Sequence, residues 1–238
     1  MIINMWSGPR NISTALMRSF ENRNDTSVID EPFYAYYLKK SNLKHPMYNE
    51  IIKKYETNYK KIIDVISRDK KNKIIFIKHM THHINIKSDL NWIKKGKNIF
   101  LLRHPNKVIL SYIKKNKLKN ASDIGFPEQL KIFNYIKLYS NTKNIIINSE
   151  YLLKDPEKIL RKICNIINID FDIKMLSWAK GNRITDGIWS KIWYQKVIHS
   201  TSFQNNDQKI TNIPSEYEVI YEKCLKIYNE LNKYSINI

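Results

Sequence analysis

An arginine and two hydroxyl residues lie in the segment that follows the first apolar run of the sequence. The run Ile2–Trp6 is followed by Gly8, Pro9 and Arg10, then Asn11 and Ile12, and finally the pair Ser13-Thr14. Apolar residues at helical spacing come next. A strand, loop and helix in this order would direct backbone N–H groups and the helix dipole at an anion. The segment therefore predicts a phosphate site, although an ordinary turn capped by Ser13 is an alternative.

A second arginine and a serine are spaced so that they could hold another phosphate. Arg103 follows the apolar run Ile99–Leu102, and Ser111 lies inside a helix predicted over 107–115. A guanidinium binds phosphate through two donors, and a hydroxyl completes the shell. An arginine at the end of a strand can also be a structural ion-pair residue, so this pair is informative mainly together with the first segment.

A carboxylate that could act as a general base follows the second predicted strand. Glu31 lies between the strand at Ser27–Ile29 and Pro32, which favours an extended backbone before it and places the carboxylate at a sheet edge. The alternative is that Asp30 and Glu31 form a solvated turn.

A lysine and three histidines follow the apolar run Ile74–Ile77. Lys78, His79 and His82 could supply a positive charge or a base, and His79, His82 and His83 could suggest a metal site. No cysteine or further ligand stands at a spacing typical of metal sites, so no metal is expected.

The first segment resembles the 5′-phosphosulfate loop of the sulfotransferases that use 3′-phosphoadenosine 5′-phosphosulfate (PAPS). That loop typically reads Pro-Lys/Arg-Ser-Gly-Thr/Ser-Thr. Arg10 stands at its basic position, and Ser13 and Thr14 stand at its hydroxyl positions, whereas Asn11 replaces serine and Ile12 replaces glycine. The resemblance implies that the whole segment from Gly8 to Thr14 binds the nucleotide.

Two later segments extend this resemblance. Arg103 and Ser111 are similar to the family's 3′-phosphate motif, Arg-x₇-Ser. The stretch that contains Arg183, Gly187 and Lys191 resembles its glycine-rich and basic cofactor loop, which would cover the nucleotide as a lid. The alternative for this stretch, which is rich in tryptophan, is a packed aromatic core around a turn.

The resemblance implies transfer of a sulfuryl group from PAPS to a hydroxyl or amine of a small acceptor. In bacterial and carbohydrate-type members, a glutamate in the place of Glu31 is the proposed base. Cytosolic members carry Lys-Thr-His, but here His79 and His82 do not match that spacing after Lys78, so Glu31 is favoured. Arg10 and Lys78 would stabilise the charge of the leaving group without a metal.

Three other functions are alternatives to this one. A P-loop kinase or other nucleotide-binding protein is disfavoured because the Walker A pattern is absent. The formal net charge of +19 would suit a non-catalytic nucleic-acid-binding protein, but the lysines are spread along the whole chain. Neither nucleic acid nor a membrane is therefore expected as a partner. A family member that has lost turnover is the third alternative.

Alternating strands and helices must position these residues. The pattern predicts an α/β three-layer sandwich with a central parallel sheet, and the resemblance implies a fold like that of the P-loop nucleoside-triphosphate hydrolases. One domain over 1–238 is expected, since no linker or repeat interrupts the sequence. Further strands are predicted at Ile74–Ile77 and Ile145–Ile147, and one long amphipathic helix over 51–66.

The remaining helix signals and the cysteines complete the prediction. Asp155 should cap a helix that begins at Pro156, and Ser215 with Glu218 should form a capping box for the last helix. Cys164 and Cys224 each fall among apolar residues, so both are expected as reduced core thiols in a cytoplasmic protein.

Overall fold

The computed structural model describes residues 1–68, 73–140, 144–204 and 212–236. Five parallel strands form one sheet in the order β2-β3-β1-β4-β5. These strands are β1 (Ile2–Ser7), β2 (Thr26–Asp30), β3 (Ile74–Met80), β4 (Lys97–Leu102) and β5 (Ile145–Asn148). Their nearly continuous apolar sequences fit a parallel sheet that is covered on both faces.

Helices cover both faces of this sheet. They are α1 (Ser13–Glu21), α2 (Tyr34–Ser41), α3 (Tyr48–Lys54), α4 (Tyr59–Ile66), α5 (Pro105–Tyr112), α6 (Phe126–Tyr139), α7 (Ser149–Lys154), α8 (Pro156–Ile167), α9 (Ser190–Trp193), α10 (Gln195–Ile198) and α11 (Glu218–Asn232). Single 3₁₀ turns lie at Thr81–His83, Asn91–Lys95, Ala121–Ile124, Ile173–Leu176 and Ser215–Tyr217.

Side chains that alternate along each strand divide the core into two layers. Met5 of β1 packs in the cluster formed with α1 and α8, whereas its neighbour Trp6 packs in the cluster formed with α5, α6 and α11. The same alternation places Leu101 in the first layer and Phe100 in the second. The prediction of an α/β three-layer sandwich with a parallel sheet is therefore confirmed.

The strand order places the candidate site residues at one edge of the sheet. The chain moves from β1 to one side, through β2 and β3, and then returns to the other side of β1 as β4. Ligands of open α/β sheets bind beyond the carboxyl ends of the strands at such a reversal. The loop after β1 and Arg103 after β4 both lie there.

The predicted long helix over 51–66 is wrong. α3 ends at Lys54 and α4 begins at Tyr59, and the break falls on a polar segment between them. The Glu56 side chain accepts hydrogen bonds from the backbone N–H groups of Thr57 and Asn58, and Asn58 then caps α4. These local bonds compete with the helical pattern that the apolar spacing indicated.

Other helix boundaries differ from the prediction in smaller ways. The helix predicted over 107–115 is α5, which begins at Pro105 and ends at Tyr112. Asp155 caps α8 as predicted, because its side chain accepts from the Lys158 N–H. The capping box at the last helix is wrong: Ser215 opens a separate 3₁₀ turn, and Glu218 is the first residue of α11.

Both cysteines are buried free thiols, as predicted, and they lie in different layers of the core. None of the helices in the described ranges is both long and apolar enough to cross a membrane.

Candidate functional site

The loop after β1 has the backbone shape of an anion cradle. Arg10 and Ile12 both lie in the left-handed region, with φ of 65° and 57°. Left-handed residues in a loop that enters a helix can turn backbone N–H groups toward one side. Ile12 therefore adopts a backbone conformation that glycine takes without cost. The loop keeps its tight shape although isoleucine stands where the resemblance leads us to expect glycine.

Gly8 has a different task in this loop. A Cβ added at Gly8 would lie 2.1 Å from the carbonyl oxygen of Ile124, so only glycine allows this close approach. Pro9, next in the chain, is partly exposed. Gly8 thus holds the loop against the turn that precedes α6.

Ser13 does not cap α1, so the alternative of an ordinary capped turn is wrong. The N-cap residue is Ile12, and no side-chain hydrogen bond satisfies the first turn. Within the described residues the hydroxyls of Ser13 and Thr14 make no hydrogen bond to protein, and the buried Oδ1 of Asn11 also has no partner. Several donors and an acceptor at the start of α1 are therefore available to a ligand.

The two arginines of the predicted phosphate sites meet in space. Arg10 Nε donates to Ser111 Oγ at 2.9 Å, and Arg103 Nη1 donates to the Arg10 carbonyl at 2.7 Å. Arg10 and Ser111 are 101 positions apart in the chain. The fold therefore joins the loop after β1, the end of β4 and α5 into a single cluster.

This cluster concentrates positive charge. Burial lowers the pKa of Arg10, and burial together with the charge of Arg10 lowers the pKa of Arg103. In the described part of the chain no carboxylate forms an ion pair with either arginine. Glu150 attracts Arg103 from a distance, but no ion pair within the described residues neutralises either arginine, so these two partly buried cations are arranged for an anionic ligand.

Lys196 of α10 is a further cation of this cluster that the sequence did not reveal. Burial lowers its pKa, and so does repulsion from four cations, which are Arg10, Lys114, Arg103 and Lys115. A lysine in a four-residue helix has no sequence signal that would distinguish it from the many other lysines.

A buried ion-pair cluster surrounds the predicted base. Lys78 Nζ lies 2.9 Å from Asp30 Oδ1 and 2.5 Å from Glu31 Oε1, and the Tyr194 hydroxyl is 2.5 Å from the same nitrogen. Asp30 and Glu31 are both buried, so the alternative of a solvated turn is wrong. Sequence reasoning missed Tyr194 altogether and treated Asp30 only as a neighbour of Glu31.

The charges in this cluster shift one another's pKa. Burial raises the pKa of Glu31, and the nearby ammonium of Lys78 opposes that shift. Burial works against the ammonium form of Lys78, but Asp30 and Glu31 outweigh it and raise its pKa. Glu31 also has a φ of 42°, so the extended backbone expected before Pro32 is wrong, and the residue is held in a strained conformation beside β3.

The histidines after Lys78 are buried among rings. His79 stacks on Trp6 at 4.3 Å between ring centroids, and its Nε2 lies 3.1 Å from Asn4 Oδ1. Burial lowers the pKa of His79 and of His82 to about 3. His83 stacks on Tyr34, with its Nδ1 4.0 Å from Glu31 Oε2. His83 therefore lies beside the Glu31 carboxylate, and His79 lines the same small void as these two residues.

The predicted cofactor loop is divided between two parts of the structure. Gly187 donates its N–H to Asp30 Oδ2 at 3.1 Å, and a Cβ there would lie 2.1 Å from the Trp189 ring. The Arg183 N–H bonds Asp186, which pairs with buried Arg18 of α1. The tryptophans also separate: Trp178 packs in the layer with α1 and α8, whereas Trp189 and Trp193 pack in a third cluster above α2.

Lys191 is exposed on α9. Among the predicted lid residues, Gly187 is bonded directly to the buried acidic cluster, through Asp30.

Within the described residues, no group of three or more histidine, cysteine, aspartate or glutamate side chains could hold a metal ion.

Comparison with known proteins identifies the family of this chain. A family model for the sulfotransferase domain matches residues 1–233. The chain belongs to the sulfotransferase domain family. Among solved structures, this sulfotransferase domain is similar to the sulfotransferase domain of an olefin synthase from Synechococcus PCC 7002, with a TM-score of 0.67 and 18% identity, over 99% of this chain and 95% of that one.

Two further similarities involve proteins of different lengths. A mouse sulfotransferase complexed with PAP has a TM-score of 0.55 and 14% identity, over 99% of this chain and 89% of that one. The Arabidopsis thaliana branched-chain-amino-acid aminotransferase-like protein 2 is 33% identical over 97% of this chain and 41% of its own length. This sulfotransferase domain thus spans about two fifths of the curated relatives that it matches. The structural neighbours confirm the P-loop-like α/β fold.

Lys196 is repelled by the cations of the arginine cluster, whereas Lys191 lies exposed on α9. Replacing each lysine should therefore affect anion binding differently. Lys196→Ala should weaken binding of adenosine 3′,5′-bisphosphate about 2- to 5-fold at low salt, and less at high salt, because an exposed cation contributes modestly and is screened. Lys191→Ala should change affinity by less than about 2-fold. Isothermal titration at two salt concentrations measures both, and a larger loss from Lys191→Ala would contradict the assignment.

Proposed function

We propose that this domain transfers a sulfuryl group from PAPS to a hydroxyl or amine of a small-molecule acceptor. The observation that supports this most is the contact between Arg10 and Ser111, with Arg103 bound to the same loop. It brings the residues that resemble the 5′-phosphosulfate loop and the 3′-phosphate motif into one cationic cluster. PAPS carries anionic groups at the 3′ and 5′ positions of its ribose, and it would supply the sulfuryl group.

Each residue of the cluster has a proposed task. Arg103 and Ser111 would bind the 3′-phosphate, and the loop from Gly8 to Thr14 would bind the 5′-phosphosulfate. The guanidinium of Arg10 would stabilise the charge that develops on the leaving oxygen, in a site whose partial burial strengthens such interactions. Sulfuryl transfer, like phosphoryl transfer, depends mainly on positioning and on this stabilisation of charge.

Glu31 would take the proton of the acceptor. Its carboxylate is buried beside Lys78, and a base of raised pKa in such a place can be matched to neutral pH. Lys78 is bound to Asp30 and Glu31. We therefore assign Lys78 to charge balance around the base, and Arg10 to the leaving group. Neutral His79 and His82 are weaker candidates, because burial lowers the pKa of each to about 3.

Nucleotide preference distinguishes this function from that of a kinase. Adenosine 3′,5′-bisphosphate should raise the melting temperature, and ATP should do so much less, since Arg103 and Ser111 would bind a 3′-phosphate that ATP lacks. At 100 times its Kd the bisphosphate should add about 2.7 kcal/mol of stability. Differential scanning fluorimetry with both nucleotides at equal concentration measures this, and equal shifts would favour the kinase.

Turnover is tested separately from binding. Incubation with PAPS that carries ³⁵S in its sulfuryl group and a panel of alcohols, phenols and amines should transfer label to at least one acceptor. Strong binding of the bisphosphate without any transfer over a broad panel would instead indicate a family member that has lost turnover.

A further inference from the structure

The hydrogen bonds around Lys78 use every donor of its ammonium group. A protonated lysine carries three N–H donors and no acceptor. Asp30 Oδ1, Glu31 Oε1 and the Tyr194 oxygen lie 2.9, 2.5 and 2.5 Å from Lys78 Nζ. Three donors thus meet three acceptors, and this full set holds the ammonium in one position.

Tyr194 is the member of this set that joins the most partners. Its oxygen accepts from Lys78 and from the indole N–H of Trp189 at 3.2 Å. Its hydroxyl hydrogen can be donated to Asp30 at 2.8 Å or to Glu31 Oε1 at 3.1 Å. Asp30 Oδ2 also accepts the Gly187 N–H. Each donor of the tyrosine, the lysine and the indole is satisfied, so the arrangement is a closed network with little freedom to rearrange.

One carboxylate oxygen remains outside this network. Glu31 Oε1 is held by Lys78, whereas no hydrogen bond within the described residues reaches Glu31 Oε2. His83 Nδ1, 4.0 Å away, is too distant for a hydrogen bond, and both residues line a small void beside Met80. The network therefore immobilises one oxygen of Glu31 and leaves the other able to accept a proton.

We propose that Tyr194 is a positioning residue that holds Lys78 against Glu31 and so keeps Glu31 Oε2 directed at the acceptor. The proposal rests on the proposed function, because it assigns Tyr194 a part in orienting the base of that reaction. Tyr194 itself would touch neither nucleotide nor acceptor.

The same network couples the base to the C-terminal segment 187–194. Gly187 and Tyr194 lie at the two ends of that segment, and both bond Asp30, which is more than 150 positions away. Trp189 between them is buried against Tyr34 and Tyr55. This segment therefore supplies two of the bonds that hold Asp30, next to the base in the chain.

The test compares two tyrosines that bind the same segment. Tyr194→Phe removes the hydroxyl that contacts Lys78. Tyr55→Phe is the matched control, because the Tyr55 hydroxyl accepts the Ile188 N–H at 3.1 Å. Among the described residues, it makes no hydrogen bond to Lys78 or Glu31. Tyr194→Phe should lower kcat about 10- to 100-fold and change the Kd of adenosine 3′,5′-bisphosphate by less than about 2-fold, whereas Tyr55→Phe should change neither appreciably.

The pH profile provides a readout that a purely structural role would not change. The charged or titratable groups recorded around Glu31 are Asp30 of β2, Lys78 of β3, His83 of the 3₁₀ turn, Tyr34 of α2 and Tyr194 after α9. The Tyr194 hydroxyl lies 3.1 Å from Glu31 Oε1, and a hydrogen bond donated there lowers the pKa of Glu31, so its removal should raise that pKa. The acidic limb of kcat/KM should then move to higher pH in Tyr194→Phe and stay in place in Tyr55→Phe.

A measurement without turnover separates this proposal from the proposed function. Carboxyl ¹³C chemical shifts of labelled glutamate, with Glu31→Gln to assign the signal, report the Glu31 pKa directly. Tyr194→Phe should raise it relative to both wild type and Tyr55→Phe. An unchanged pKa, or an equal change in both variants, would overturn the positioning role whether or not the wild type transfers sulfuryl groups.

The remaining outcomes are also decisive. If the wild type binds no bisphosphate and transfers nothing, the proposed function fails while the carboxyl titration still tests the network. If Tyr194→Phe does not fold, Trp189→Phe removes the indole donor to Tyr194, together with part of the ring that packs against Tyr34 and Tyr55, and should raise the Glu31 pKa by a smaller amount. No shift in that variant would count against the network.

Discussion

Arg103→Ala is expected to weaken binding of adenosine 3′,5′-bisphosphate about 30- to 1,000-fold. This corresponds to about 2–4 kcal/mol, the scale of losing a charged hydrogen-bonding partner. Two losses combine: the guanidinium that would bind the 3′-phosphate, and its bond to the Arg10 carbonyl that holds the loop after β1. Isothermal titration calorimetry of the purified variant measures the change.

The stability of the free protein distinguishes a ligand role from a structural one. Glu150 attracts Arg103 while Arg10 repels it, and no carboxylate of the described residues forms an ion pair with Arg103, so Arg103→Ala should change the melting temperature of the free protein little. Arg161→Ala is a suitable control, since that arginine pairs with Glu157 on the exposed face of α8. If Arg103→Ala unfolds the protein but retains normal affinity, the residue is structural.

Glu31→Gln is expected to lower kcat for an alkyl alcohol about 10²- to 10⁴-fold while nucleotide affinity changes little. Glutamine keeps the shape of the side chain and an oxygen for Lys78, but it cannot take the proton of the acceptor. Asp30 continues to neutralise Lys78, so the buried ammonium is not left without a counter-charge. Steady-state kinetics with saturating PAPS gives kcat, and Glu157→Gln on the surface is the control.

The pKa of the acceptor tests whether this loss comes from proton transfer. A phenol of low pKa needs little help in losing its proton, so Glu31→Gln should cost much less with it than with an alkyl alcohol. His79→Ala and His82→Ala should cost less than Glu31→Gln on the alcohol. If Glu31→Gln is nearly silent on both acceptors and one histidine variant abolishes turnover, the base lies in the Lys78-to-His83 segment.

Local sequence patterns predicted most of the strands and several helix boundaries. β1, β3, β4 and β5 each contain a run of apolar residues, and Asp155-Pro156 is a strong start signal for α8. Periodicity failed over 51–66, because polar side chains near Asn58 bond the backbone and end one helix before the next begins. Apolar spacing cannot detect such a break, and the two helices bury their residues in different places: Ile51 lies in the third cluster, whereas Ile62 and Ile66 lie in the layer with α5, α6 and α11.

The sequence by itself determined which groups could bind an anion. Arg10 with its hydroxyl neighbours, and Arg103 with Ser111, are each separated by only a few positions, so their patterns are visible in the linear chain. Glu31 is likewise visible in the linear chain as a candidate base, because it follows a predicted strand and precedes Pro32. Local spacing carries this information because each group lies next to the end of a strand, and in a parallel sheet the carboxyl ends of the strands share one edge.

Only the tertiary structure decided how these groups combine. The sheet order brings Arg10 to Ser111 across 101 positions, and a short C-terminal segment brings Tyr194 to Asp30 across 164. Neither Tyr194 nor Lys196 has a distinguishing pattern, because each lies in or beside a four-residue helix too short to show periodicity. The partners of such residues are set by long-range packing, and the burial that shifts the pKa of Glu31 and His79 also exists only in the folded chain.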